Sequence, residues 1–145
     1  MQLQIIHQPI SLELYGYSGI AADRDYVKAI FPLMDKMWKE VKGRNFENKG
    51  RNIWVYEAGF AVFAGVELTS PPDQPTTLEQ KSLTIPRYAY FKHIGPYNLL
   101  RQANQAMKEE LNRQGLQAAL PCLEIYGHWT PDESKLETEL IMSLR

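Results

Sequence analysis

Residues 87–115 read RYAYFKHIGPYNLLRQANQAMKEELNRQG, and the hydrophobic period changes inside this stretch. From Arg87 to Ile94 the residues are aromatic and β-favouring, which predicts a strand. Gly95 and Pro96 then supply a turn. Pro96 stands where a first-turn proline costs a helix nothing. From about Tyr97 to Gly115, Leu100, Ala103, Met107 and Leu111 recur at helical spacing, while Arg101, Lys108, Glu109 and Arg113 fall off that stripe and can face water. Gly115 is suited to the left-handed residue that ends a helix.

Working outward, two further strands follow, Cys122 to Trp129 and Leu136 to Leu144, separated by the turn-forming segment TPDESK. This half therefore reads β-α-β-β. The same grammar precedes it. Ile10 to Gly19 reads as a strand, and a helix follows whose apolar residues are Ile30, Leu33, Met34, Met37 and Val41. Lys36, Lys39 and Lys42 lie toward its C-terminal end, where cations complement the helix dipole. Pro32 allows two starts, near Asp25 with a kink or at Pro32 itself. Strands at Ile53 to Tyr56 and Gly59 to Leu68 complete the first half, with Glu57, Ala58 and Gly59 between them. The proline-rich stretch from Thr69 to Gln80 reads as a linker. The expected organisation is one α+β domain over residues 1–145, built from a duplicated β-α-β-β unit: repeat 1 at about 1–70, a linker at about 69–80 and repeat 2 at about 81–145. Mostly antiparallel sheets would pack on two main helices, with pseudo-twofold symmetry and a cleft between the repeats.

The chain has 145 residues, 16 Lys plus Arg against 17 Asp plus Glu, and a formal charge of -1. Such a balance offers no strong field to a nucleic-acid backbone. No membrane partner is expected either, because no apolar run approaches the roughly 20 residues a span requires. The single cysteine, Cys122, cannot close an internal disulfide or build a thiolate zinc cluster. A pairing of Cys122 with His93 or His128 as nucleophile and base is conceivable, but a lone strand cysteine more often behaves as a small apolar residue. No P-loop, dinucleotide fingerprint or metalloprotease motif occurs. The expectation is a soluble, unprocessed cytoplasmic protein without metal or cofactor.

One residue resists a purely structural reading. In CLEIYGHW, residues 122–129, period-two geometry puts Leu123, Ile125 and Trp129 on one face and Cys122, Glu124, Tyr126 and His128 on the other. The first face is expected to pack on the helices. Glu124 then shares its face with Cys and Tyr in a segment that otherwise reads as buried. An unanswered charge there costs several kcal/mol. Retention of the proton, a basic partner or a cationic ligand would each relieve it. The 16 aromatic residues supply many rings from which a pocket for flat or cationic molecules could be made.

The aromatic strand ending in His93-Ile94-Gly95-Pro96-Tyr97, then a helix, Glu124-x-Tyr126 and the closing strand ETELIMSL together resemble the GyrI-like small-molecule-binding family. That family also supplies effector-binding domains of AraC-type and MerR-type transcription regulators. The resemblance implies a ligand cleft between the two repeats, with Glu124 as the acidic group that meets cationic ligands and Tyr126, Tyr90, Trp38, Tyr56 and Tyr15 as aromatic walls. The implied partner is a hydrophobic or cationic small molecule. The resemblance also leaves open a hydrolase using Glu124 as general base, and a module acting on a transcription regulator, a topoisomerase or another protein. No helix-turn-helix segment accompanies the domain, so a stand-alone form is expected.

Overall fold

The computed structural model describes residues 2–145. Eight strands form one antiparallel sheet: β1 (Gln4–Ile6), β2 (Ile10–Ile20), β3 (Asn52–Glu57), β4 (Ala61–Val66), β5 (Glu79–Ile85), β6 (Tyr88–Ile94), β7 (Ala118–Tyr126) and β8 (Glu137–Leu144). Two helices, α1 (Tyr26–Gly43) and α2 (Leu100–Arg113), complete the α+β fold. The strand order is β1-β6-β8-β7-β3-β4-β2-β5. This order is symmetric about the β7–β3 pair: β2-α1-β3-β4 on one side answers β6-α2-β7-β8 on the other.

Two of these strands have no counterpart in the sequence reading. β1 has only three residues, and β5 lies partly within the expected linker and brings only Leu83 and Ile85 into the core. They cross between the halves: β1 pairs with β6 of the second half, and β5 pairs with β2 of the first.

Asp25 settles where the first helix begins. Its carboxylate accepts from the Lys28 backbone N–H at 3.1 Å, a side-chain cap for one of the helix's orphan donors. The helix then runs through Pro32 to Gly43. Ile30, Met37 and Val41 are its fully buried stripe, with Leu33 and Met34 half-buried beside them. The helix α2 buries Leu100, Ala103, Met107 and Leu111, the four residues its spacing predicts. A short 3-10 turn, Tyr97–Leu99, leads into it, and Gly115 follows with φ 72°.

Strand β4 begins later than its hydrophobic run, because Ala58–Phe60 forms a 3-10 turn in which Gly59 and Phe60 both adopt left-handed φ values, 73° and 58°. Strand β7 begins earlier than expected, at Ala118. Its register against β8 shifts between Ala119 and Cys122, beside Pro121, which has no N–H to give to the ladder. At Gly16 the neighbouring strand passes so close that a Cβ would overlap the Ala64 carbonyl oxygen, so only glycine fits.

Both faces of the sheet are buried, by different means. On one face α1 packs against β2 and β4, and α2 against β6. The other face carries no helix. Its core consists of strand residues alone, among them Leu12, Leu14, Ile53, Val55, Phe63, Leu83, Ile85, Tyr88, Leu123, Ile125 and Ile141. The sheet must curl for this to happen. β5 ends at Ile85 and β6 starts at Tyr88, although the two stand near opposite ends of the strand order. Three residue steps span at most roughly 11 Å, so the curl brings the two flanks together.

The expected orientation of β7 is therefore reversed. Leu123 and Ile125 face the helix-free core, whereas Cys122 and Tyr126 pack on the helix side. Trp129 lies beyond the strand and is exposed. The reversal follows from the curl, which gives the sheet a second dry face that needs no helix. No helix of the described residues is long and apolar enough to cross a membrane.

Candidate functional site

Strands β3 and β7 run down the middle of the sheet, while the two helices take their main packing from strands further out. The helix-side residues of β3 and β7 therefore line the floor between α1 and α2. Register fixes which residues those are. Glu124 lies between Trp54 on β3 and Leu140 on β8; Tyr126 lies between Asn52 and Thr138; Cys122 lies between Tyr56 and Met142.

Glu124 is half-buried, and no Lys or Arg forms an ion pair with it among the described residues. Its partners are hydroxyls. Tyr56 donates to Glu124 Oε1 from across the strand pair, and the Tyr126 hydroxyl, two residues along the same strand, also favours the ionised form. Burial pushes the Glu124 carboxyl above the ordinary glutamate range; the two tyrosine hydrogen bonds pull the other way without cancelling it. The same burial, with the carboxylate nearby, holds the Tyr56 and Tyr126 phenols far above their usual values, so both remain donors at any ordinary pH.

Rings surround this carboxylate. Trp54 meets Tyr126 edge-on at 5.0 Å, and Tyr97 meets Tyr126 at 5.4 Å. Tyr26 meets Tyr56 at 5.3 Å and Phe31 meets Trp54 at 6.2 Å. Phe31, on α1, and Tyr97, in the turn before α2, are the exposed members of this group of rings. Acceptor, aromatic faces and tyrosine donors thus converge where the strand order has its axis of symmetry. Chemically, such a place can hold a positive charge or, with a bound water, withdraw a proton.

Of the six residues expected at a site, Glu124, Tyr56 and Tyr126 come together here. The other three lie elsewhere. Tyr90 sits on the helix-free face, where its hydroxyl donates to Glu139 Oε1 at 2.6 Å beside a cavity of about 400 Å³. Arg51 lines the same cavity and pairs with Glu139 and Glu67, so the charges there answer one another. Trp38 packs with Tyr17, Met37, Val41, Phe46 and Val66 under α1, with the Lys42 ammonium 5.9 Å from its ring. Tyr15 pairs with Val66 and Gln80 in β2, which is separated from β7 by β4 and β3.

Sequence reasoning omitted Trp54, Tyr26, Phe31 and Tyr97 from the site. Tyr97 belonged to the Gly-Pro-Tyr motif and could have been chosen for that reason. Trp54 is revealed only by cross-strand register. Cys122 makes no hydrogen bond to His93 or His128 among the described residues: its thiol, raised by burial, donates to the Ala119 carbonyl, and His93 bonds the Pro96 carbonyl at 3.1 Å.

Residues 30–145 match the GyrI-like small molecule binding domain. The chain belongs to this family. No curated protein matches it in sequence, but solved structures share the GyrI-like fold over the whole chain. The C-terminal domain of EcmrR aligns with a TM-score of 0.75 at 16% identity, covering 100% of this chain and 99% of that one. SAV2435 bound to tetraphenylphosphonium aligns at 0.70 and 16% identity, covering 100% and 94%. A hydrolase from Listeria innocua aligns at 0.61 and 13% identity, covering 99% and 92%. At these identities the likeness is one of fold, and the GyrI-like assignment makes the chain a small-molecule-binding domain.

Proposed function

We propose that this domain binds a lipophilic cation between α1 and α2, with Glu124 as counter-charge, Tyr56 and Tyr126 orienting its carboxylate, and Trp54, Tyr97, Tyr26 and Phe31 as aromatic walls. One observation carries this reading: a half-buried carboxylate that accepts a hydrogen bond from Tyr56 and has no basic side chain as partner among the described residues. Its ionised form is under-compensated, so a guest bringing positive charge recovers Coulomb energy that the protein leaves unused. The rings add cation–π attraction without demanding one shape of guest. The similar SAV2435 is bound to tetraphenylphosphonium, a guest of this chemistry.

Calorimetric titration with tetraphenylphosphonium and with a neutral tetraphenyl analogue tests the proposal. The cation should bind and the neutral analogue bind far more weakly. Glu124→Gln should reduce cation affinity by about 10- to 100-fold, the scale of one charge-assisted contact, while leaving the neutral analogue unchanged. Equal losses for both guests would remove Glu124 from the role of counter-charge.

The raised carboxyl also favours a second reading, because a general base at neutral pH needs its pKa moved upward from the carboxylate range. Hydrolysis of an electrophilic small molecule that disappears in Glu124→Gln would establish that role in its place.

A further inference from the structure

Three buried side-chain polar atoms have no hydrogen-bond partner among the described residues: Trp54 Nε1, Asn52 Oδ1 and Thr138 Oγ1. All three belong to residues paired directly with Glu124 or Tyr126. Trp54 stands beside Glu124, and Asn52 and Thr138 flank Tyr126 on its two neighbouring strands. Buried polar groups left unpaired are rare and costly, so their concentration in two adjacent rows around one carboxylate needs a cause.

The chemistry of the three atoms differs. The indole N–H of Trp54 can only donate. Asn52 gives its amide N–H to Met34 Sδ at 2.9 Å, which leaves its carbonyl oxygen as a free acceptor. Thr138 is fully buried, and its hydroxyl can accept or donate. The row Asn52–Tyr126–Thr138 thus offers two acceptors flanking an aromatic ring. It lies two residues along β7 from Glu124, a step of about 7 Å.

We infer that Asn52 and Thr138 form a hydrogen-bonding subsite beside the charge site, and that the ligand class is a flat aromatic cation carrying N–H donors about 7 Å from its cationic centre, such as an amino-substituted heteroaromatic ion. This rests on the cation-binding reading above and narrows it. A quaternary or phosphonium ion satisfies Glu124 but leaves both acceptors dry. An amino-substituted ring satisfies the carboxylate and the acceptor row together.

The test uses ethidium and the same N-ethyl-phenanthridinium ion lacking its two amino groups, titrated by fluorescence or calorimetry into wild type, Thr138→Val, Thr138→Ser and Glu124→Gln. Thr138→Val should weaken ethidium about fivefold to tenfold, the scale of one hydrogen bond, and leave the des-amino ion within about twofold, taken here as no loss of a hydrogen bond. Thr138→Ser keeps the hydroxyl and should keep ethidium affinity, which separates a lost hydrogen bond from a disturbed core. Glu124→Gln should weaken both ions. If Thr138→Val changes neither ion, or both alike, the subsite is overturned while the charge site stands. If neither ion binds wild type, the charge site and the subsite both fall.

Discussion

Tyr56 and Glu124 come from strands that share a register but not a half of the chain: 68 residues separate them in sequence, and one hydrogen bond joins them at the middle of the sheet. The carboxylate proposed as counter-charge is therefore held by both halves at once. Its ionisation is set by the contest between burial, which favours the neutral acid, and two phenol donors, which favour the anion.

Cation affinity should consequently fall as pH falls through the raised pKa of Glu124, because protonation removes the counter-charge. The fall should begin at a higher pH than for an ordinary glutamate. Tyr56→Phe removes one donor, so the carboxyl should move further upward and the midpoint of the binding-versus-pH curve should shift to higher pH. Titrations of tetraphenylphosphonium between pH 4 and 8 measure this; a midpoint that moves down or stays fixed in Tyr56→Phe would contradict the account.

Folding stability should show the opposite face of the same carboxyl. A carboxyl whose pKa is raised on folding binds more protons in the native than in the unfolded state between its two pKa values. Its contribution is full below the unfolded pKa and is lost as pH rises through the folded one. The unliganded protein should therefore lose stability across that window. Glu124→Gln, unable to ionise, should melt higher than wild type at pH 8, by an amount of order 1 kcal/mol, and the difference should shrink toward pH 4. Thermal melts across pH read this directly, and a destabilised Glu124→Gln at pH 8 would argue that the anion is well satisfied without a guest.

Tyr90 and Trp38 provide the spatial control. Tyr90 lies on the helix-free face with Glu139, and Trp38 lies beneath α1 with Lys42. Tyr90→Phe and Trp38→Phe should leave tetraphenylphosphonium affinity within about twofold, since neither changes a contact at the proposed charge site. Trp54→Phe should weaken it by about threefold to tenfold, through loss of the strongest cation–π face. A large effect at Tyr90 would place a second ligand locus at the Arg51 cavity.

The helices and the main strands were legible because their signals are local. The α2 stripe of Leu100, Ala103, Met107 and Leu111 is a matter of period alone, as is the separation of Glu124 from Leu123 and Ile125 on opposite faces of β7. Which face meets the helices was not legible, because it depends on the curl of the whole sheet. The short β1 and polar β5 escaped notice because each is completed by a strand from the other half of the chain. The site divides along the same line. Glu124 and Tyr126 share one strand and could be seen together, whereas Trp54 and Asn52 join them only through pairing between β3 and β7, and Phe31 and Tyr97 only through ring contacts from α1 and from the turn before α2. Tyr90, Trp38 and Tyr15 show the converse: a tyrosine or tryptophan on a strand or helix declares that it wants a polar neighbour, not which one it will find.

The exchanged edge strands bear on how a guest gains entry. Separating the two halves like a hinge would disturb β1 against β6 and β5 against β2 as well as part the central β3–β7 pair. Admission of the proposed guest would then depend on smaller movements at the rim: a swing of the exposed Phe31 ring on α1 and of the Tyr97 ring in the turn before α2. Under the proposed function, such a doorway would adjust to the visitor while the frame stays rigid, so that guests of different outline would meet one fixed carboxylate.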